Sequence, residues 1–309
     1  MKRILVTGAA GFIGSHVAQR LVVDGHAVFG LIHDQMPPED ATGWNPVNGD
    51  VGDYPRLLEL IVNCEIDEIY HFAARSIVRN CRLDPLGCFT ANVLGTVAVL
   101  EAARQAEHVK GILVMESDKA YGPGPTPYRE DQALVPEGIY EASKACVSHL
   151  VRAYHKNYNL PVFGVRSANV YGPGDPNRSR LIPQTICCLL EGQRPKIVKG
   201  AERYEREFIY IDDFVDYALA LMQKGPWGRS VNVGGGGRST VKGVIKELFR
   251  LKKKHYSVEV VPRAESFTEI RAQSLNCDLL GELVPHIIPR SLALGLALTL
   301  KAEAATNHA

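Results

Sequence analysis

Residues 6–16 read VTGAAGFIGSH. The run that enters them, RILVTG (3–8), is short and apolar like a buried strand, and the run that leaves, IGSHVAQRLVVDG, has helical spacing. Gly8, Gly11 and Gly14 therefore occupy a strand-to-helix turn, with Phe12 and Ile13 opening the helix. The first glycine permits the tight turn, the second lets a pyrophosphate approach the backbone, and the third lets helix and strand pack closely. The helix N-terminus favours negative charge. Gly-x-x-Gly-x-x-Gly differs from the more common Gly-x-Gly-x-x-Gly, yet in this context it predicts a dinucleotide cradle made by Gly8, Gly11, Phe12, Ile13 and Gly14.

Working outward, HAVFGLI (26–32) is a second strand. NPVNGDVGD leads into the helix YPRLLELIVNC and the strand EIYHFAA (68–74). A long helix over PLGCFTANVLGTVAVLEAARQ precedes KGILVMES (110–117), a helix from about Tyr140 to Asn157, and PVFGVRSANVYG (161–172). Strands apolar throughout, alternating with helices, imply an α/β fold with a Rossmann-type doubly wound parallel sheet. Beyond Tyr171 the pattern loosens. Segment 172–207 is rich in Pro, Arg and Gly, and 237–309 mixes a helix with pieces such as SVEVV, whereas 208–222 and 230–236 still resemble sheet elements. The expected division is a nucleotide-binding domain over 1–168 plus about 208–236. A smaller, discontinuous α/β substrate lobe would take 169–207 and 237–309. YGPG follows a strand twice, at 121–124 and 171–174, marking the sheet edge where open α/β sheets bind ligands.

Among 309 residues, 46% are hydrophobic and 22% charged, and 35 basic against 34 acidic side chains leave a net charge of +1. That balance argues against a nucleic-acid or membrane-surface partner, and the basic cluster FRLKKKHYS (249–257) reads as the solvated last turn of a helix. Seven cysteines without metal-site spacing predict free thiols and no metal. No signal peptide precedes the first strand, and LALGLALTL (292–300) is too short to span a bilayer. A soluble, cytoplasmic chain is the expectation.

An NAD site should carry an acid after the second strand, and an NADP site an arginine. GLIHDQ instead offers Ile32 or His33, with Asp34 slightly late. His33 only partly substitutes for arginine, so NAD and NADP both stay open. Asp50, with Val51 beside it in NGDVGD, is expected at the adenine end; the alternative is an ordinary turn residue. IYEASKA puts Tyr140 and Lys144 four residues apart, on one helix face. A phenol of pKa about 10 is a poor base at neutral pH, and a neighbouring ammonium would lower it. Tyr140 could then accept a hydroxyl proton while the carbon delivers hydride to nicotinamide.

The set VTGAAGFIGSH, GDVGD, HFAARSIVRN, NVLGTV, YEASKA, RSANVYGPG and REFIYIDDFVDYALAL, in this order over residues 1 to about 235, resembles the extended short-chain dehydrogenase/reductases of the nucleotide-sugar epimerase/dehydratase family. That resemblance implies a nucleoside-diphosphate hexose as substrate and a homodimer built on the two long helices. It also gives MESDKAYG (115–122) a meaning. In the family, 4-epimerases resemble Ser-Ser/Ala-Ala/Thr at this point, and 4,6-dehydratases carry an acid there. Ser117-Asp118-Lys119 is closest to the CDP-glucose type. Asp118 would be the acid at C6 and Lys119 the base at C5, whose ordinary pKa near about 10.4 burial or charge would have to lower. The bland alternative is a pair of exposed loop charges.

The resemblance further implies that Asn169 touches the diphosphate and that Arg206 and Arg271 bind diphosphate or ribose with forked donors. Arg180 is another phosphate candidate, and Ser76 and Arg79 lie near the expected sugar site; each arginine could equally be a surface ion-pair partner. The absent acid after the second strand departs from the family pattern, and the nucleotide base is not legible. A 4-epimerase and a non-catalytic NAD(P)-binding sensor or scaffold are the competing readings.

Overall fold

The structure is a computed structural model and describes residues 1–33, 43–262 and 270–306. The chain runs β1 (Arg3–Thr7), α1 (Phe12–Val23), β2 (Ala27–Ile32), β3 (Asn45–Asn48), α2 (Tyr54–Asn63), β4 (Glu68–His71), α3 (Val78–Leu83) and α4 (Pro85–Phe89). A π turn over Thr90–Leu94 joins α4 to α5 (Gly95–Ala106), followed by β5 (Gly111–Met115), α6 (Ile139–Tyr158), β6 (Val162–Ser167) and β7 (Asn169–Tyr171). Next come α7 (Leu181–Leu190), β8 (Lys196–Val198), β9 (Glu205–Tyr210), α8 (Ile211–Lys224), β10 (Ser230–Val233) and β11 (Arg238–Thr240). The last elements are α9 (Val241–Leu251), β12 (Glu259–Val261), α10 (Asp278–Leu283) and α11 (Leu292–Thr306).

Seven strands pair in the order β10-β6-β5-β4-β1-β2-β3, every pair parallel. The expected doubly wound sheet is thus present. Because alternate residues of a strand face opposite sides, a strand apolar at every position needs cover on both. Leu5, Ile69, Ile112 and Val114 pack with Leu57, Val99 and Val147 on one face, while Ile4, Val6, Leu113 and Phe163 pack with Val17, Leu21 and Phe214 on the other. Each such side chain stabilises the fold by about 1.5–3 kcal/mol through burial. The strand order reverses between β1 and β4, so a ligand crevice is expected outside their carboxyl ends.

β3 is a strand that the sequence pattern does not announce. It is an edge strand, three of its four residues are exposed, and it contains Pro46, which an edge can accommodate. The segment at 208–210 forms the end of β9 and pairs outside the central sheet, in a three-stranded sheet ordered β11-β9-β7; β10 does join the central sheet. β8 and β12 make a separate pair. Thr240 caps α9, its hydroxyl accepting from the Gly243 N–H at 3.0 Å, and Val244, Ile245, Leu248 and Phe249 form the buried face of that helix.

Residues 271–276 form no regular strand, yet backbone bonds pin them on two sides. Glu205 N–H donates to the Arg271 carbonyl (2.8 Å) and Gln273 N–H to the Glu205 carbonyl (3.1 Å). Tyr128 N–H donates to the Ser274 carbonyl and Asn276 N–H to the Tyr128 carbonyl, both at 2.8 Å. The continuous helix Pro85–Ala106 is long and apolar enough to cross a membrane by length and composition; here half of its apolar window is buried within the fold, where α5 packs on α2.

Candidate active site

The glycine turn has the geometry that its spacing predicts. Gly8 has φ +69°, a conformation that L side chains rarely adopt, and a Cβ there would lie 2.8 Å from Ala73 N. Gly11 N–H donates to the Gly8 carbonyl at 2.9 Å. A Cβ on Gly14 would collide with that same carbonyl, so only glycine lets α1 sit this close to the end of β1. No side chain caps α1. Phe12 and Ile13 pack their side chains against the core beneath the turn.

A cleft of about 640 Å³ opens beside the turn, lined among others by Gly8, Ala10, His33, Asp50, Val51 and Arg75. At one end the His33 Nε2 lies 3.6 Å from Asp50 Oδ2, both side chains largely exposed. Asp50 also accepts from the Gly52 N–H at 2.7 Å, so it serves its turn while facing the cleft. Val51 is buried. Asp34 lies outside the described residues.

The second cluster sits where β5 ends. Ser117 is extended (φ −160°, ψ 145°) and caps a short 3₁₀ turn, Asp118–Tyr121, its Oγ accepting from the Lys119 N–H at 3.2 Å. Asp118 is only 3% exposed. Ser117 Oγ lies 3.4 Å from its Oδ1, while Oδ2 has no hydrogen-bond partner among the described residues. Burial pushes this carboxyl up, toward the protonated form, against the opposing pull of Lys119 and Arg206. Asp118 is therefore not an exposed loop charge. Lys119 is half-buried and donates from Nζ to Gln273 Oε1 at 3.4 Å.

Tyr140 and Lys144 lie one turn apart on α6, and both are buried. Their electrostatics differ from the sequence-based expectation. Desolvation drives the Tyr140 phenol well above its ordinary value, and the hydrogen bond with Ser117 offsets only part of this. The Lys144 amine donates to the Met115 carbonyl at 2.8 Å, and burial lowers its pKa to about 8. Spacing indicated an ammonium that would depress the phenol; burial instead raises Tyr140 and lowers Lys144.

Several buried residues support the cluster without having been singled out in the sequence. The π turn of the long helix, a local irregularity that often accompanies function, carries Asn92. Its Oδ1 accepts from Arg75 N–H (2.7 Å), while its Nδ2 donates to the Arg75 carbonyl (3.1 Å) and to Ser143 Oγ (2.9 Å). Ser143 in turn donates to the Tyr140 carbonyl at 2.7 Å. His71 sits between Thr7 Oγ1 (2.7 Å) and Thr96 Oγ1 (3.0 Å), and burial, then the nearby Lys144, lower its pKa to about 3, so it is neutral. Glu116, next to Ser117, meets Arg166 Nε at 2.9 Å. Glu207 accepts from Leu275 N–H (2.7 Å) and Gly236 N–H (3.1 Å), and burial raises its pKa. Asn92 and Glu207 do fall inside the motifs NVLGTV and REFIYIDD, which was the one available signal.

The residues expected on the substrate side divide by environment. Arg206 is 7% exposed, its Nη1 donates to the Glu205 carbonyl at 2.8 Å, and its charge acts on Asp118. Asn169 Nδ2 donates to the Glu207 carbonyl at 3.0 Å. The Arg271 side chain is exposed, while its backbone ties the 271–276 segment to β9. Arg180 pairs with Asp175 (2.6 Å) and donates to the Val170 carbonyl (2.5 Å), so much of its donor capacity is spent on neighbouring residues of its own segment. Ser76 and Arg79 are exposed just before and within α3. All seven cysteines are free, and among the described residues no group of three His, Cys, Asp or Glu is placed to hold a metal ion.

Comparison with known proteins gives a consistent picture. The model of the NAD dependent epimerase/dehydratase family matches residues 4–234. The trifunctional UDP-glucose 4,6-dehydratase/UDP-4-keto-6-deoxy-D-glucose 3,5-epimerase/UDP-4-keto-L-rhamnose-reductase RHM1 of Arabidopsis thaliana is 31% identical over 264 residues, covering 81% of this chain and 39% of that relative. The chain thus spans about two fifths of the plant trifunctional relatives that it matches. DesIV, a dTDP-glucose 4,6-dehydratase from Streptomyces venezuelae solved with NAD and TYD bound, superposes with a TM-score of 0.88 at 29% identity, covering 99% of this chain and 98% of that one. The UDP-glucose 4-epimerase of Thermotoga maritima, solved with UDP-glucose, superposes with a TM-score of 0.91 at 26% identity, covering 99% of each chain.

Proposed function

The chain belongs to the NAD-dependent epimerase/dehydratase family, and on that premise we propose that it is a nucleotide-sugar 4,6-dehydratase, converting an NDP-hexose into an NDP-4-keto-6-deoxyhexose. One observation carries the choice within the family: Asp118 is a buried carboxyl with an unpartnered oxygen, biased toward protonation, directly beside a lysine. Dehydration needs such an acid and base besides the tyrosine; epimerisation at C4 does not.

The glycine turn fits a dinucleotide pyrophosphate, because its backbone is bare where a Cβ at Gly8 or Gly14 would intrude and α1 has no side-chain cap. Gly8, Gly11, Phe12, Ile13 and Gly14 would hold it, with His33, Asp50 and Val51 at the adenosine end. NAD and NADP both stay open, because Asp50 follows β3 at the adenine end and no described acid follows β2. When bound, the nicotinamide supplies the reversible hydride acceptor for oxidation at C4 and reduction at C6.

The chain's own residues supply the proton chemistry. Tyr140 accepts the C4 hydroxyl proton as its phenolate, a form that burial opposes and the Ser117 hydrogen bond favours. Lys144 fixes this turn of α6 to the end of β5 through its bond to the Met115 carbonyl. The ketone at C4 acidifies the C5 proton, and the C5–H bond breaks as Lys119 takes that proton. The C6–O bond then breaks as Asp118 protonates the departing hydroxyl, releasing water and leaving a C5–C6 double bond for reduction. Arg206, Asn169 and Arg271 would bind the diphosphate and ribose. Arg180, Ser76 and Arg79 are weaker candidates on the environments described above.

Under this reading, residues 169–207 and 237–309, with the end of β9 that pairs with them, form the sugar-binding lobe, and 1–168 with about 211–236 the nucleotide domain. A homodimer through the two long helices is supported by Leu94, 59% exposed on the helix Pro85–Ala106.

The decisive experiment incubates the purified protein with a panel of nucleotide hexoses and reads product masses. Loss of one water from one of them is expected and identifies its base. Unchanged mass with a new isomer would make the protein an epimerase. No conversion, or full activity in Tyr140→Phe, would overturn the catalytic assignment.

A further inference from the structure

Gln273 is fully buried at the centre of the doubly pinned segment 271–276. Its Oε1 faces Lys119 Nζ at 3.4 Å, and its Nε2 has no hydrogen-bond partner among the described residues. The orientation follows from chemistry: a lysine amine bound through its N–H offers a donor, so the amide must turn its oxygen toward it and leave its own N–H groups idle. Buried amide donors are costly to leave unpaired. The backbone that fixes Gln273 cannot easily move, because Gln273 N–H is held by the Glu205 carbonyl and the neighbouring Ser274 and Asn276 are bonded to Tyr128. The ionisable groups around this corner are Asp118 on the same turn as Lys119, Arg206 and Glu207 on β9, Tyr128 on the facing loop, and Tyr140 on α6.

We propose that Gln273 is a positioning residue for the elimination step: its carbonyl aims the Lys119 amine at the C5 proton, and its idle amide N–H is kept for an oxygen of the bound hexose. This rests on the dehydratase reading. A neutral amide suits the task because it orients the Lys119 nitrogen without adding a negative charge that would favour the ammonium. A carboxylate in the same place would stabilise the ammonium and withhold the nitrogen lone pair. The 271–276 segment thus sends one side chain across to the turn after β5.

The test uses Gln273→Met, which conserves volume, and Gln273→Glu, both in the full-length protein with its cofactor and the hexose identified by mass. Gln273→Met should lower kcat about 10²-fold, the scale of a misplaced general base, with KM changed far less. Oxidation at C4 should survive, so the near-ultraviolet absorbance of reduced nicotinamide should build up during turnover. Gln273→Glu should shift the acidic limb of the kcat–pH profile upward and regain activity in alkali. A merely structural role would lower the melting temperature and slow oxidation and elimination together, and that result overturns the inference. Wild-type kcat in Gln273→Met, or an unshifted pH profile in Gln273→Glu, overturns it as well. If the wild-type protein removes water from no nucleotide hexose, the dehydratase reading fails first; if it does and the variants match it, only this inference fails.

Discussion

Arg166→Met should be among the most damaging single substitutions outside the catalytic groups. The Glu116 side chain is 0% exposed and that of Arg166 8%. Glu116 Oε2 accepts from Arg166 Nε (2.9 Å) and Ser148 Oγ (2.5 Å), and Oε1 from Ser230 Oγ (2.9 Å). Arg166 also donates from Nη1 to the Tyr121 hydroxyl at 2.9 Å and from Nη2 to Ser230 Oγ at 3.2 Å. Methionine fills most of the space but strands a buried carboxylate, a change that costs about 3–5 kcal/mol. That corresponds to roughly 10²–10⁴ in the unfolding equilibrium. Turnover should fall too, because Glu116 immediately precedes Ser117 and this network holds both ends of the Asp118–Tyr121 turn. The double variant Glu116→Gln/Arg166→Met should recover most of the stability, since a glutamine amide can accept from one serine and donate to the other. Urea denaturation at neutral pH measures all three proteins. A cost below about 1 kcal/mol for Arg166→Met, or a double variant as unstable as the single one, would refute the argument that stranding the charge is what matters.

Asp118→Asn should separate stability from function. The folded-state pKa of Asp118 lies above its unfolded value, so its stabilising contribution is complete below about 3.9 and is lost as pH rises through the folded value. The asparagine variant should therefore melt higher relative to wild type at neutral pH than at acid pH, while losing dehydration; equal melting differences at both pH values would contradict the burial argument. Lys144 behaves oppositely: with a folded value of about 8 against about 10.4 unfolded, the unfolded chain binds more protons between those limits and stability rises with pH there. Wild type should gain on Lys144→Met across that window in denaturation at stepped pH, with a constant offset below it. Gly14→Ala pushes a methyl group into the Gly8 carbonyl, where backbone on both sides resists, and should cost about 1–3 kcal/mol together with dinucleotide affinity. Titration with reduced cofactor reads the affinity, and wild-type binding would count against the cradle.

Local features were legible because each is encoded in contiguous residues. The glycine triplet, the Tyr140/Lys144 spacing and the strand followed by Ser117, Asp118 and Lys119 all survive in the folded chain as the alternating βα pattern places them. β3 escaped notice because an exposed edge strand has no periodicity to show. The sequence by itself thus determined the parallel sheet, the glycine turn and the order of the candidate side chains. Only the tertiary structure decided that Tyr140 and Asp118 are driven up and Lys144 and His71 down. It alone set Gln273, 154 positions away in the chain, against Lys119, and Arg166 against Glu116. Desolvation and long-range pairing are sums over atoms brought together from separate segments, and no local window of sequence contains them.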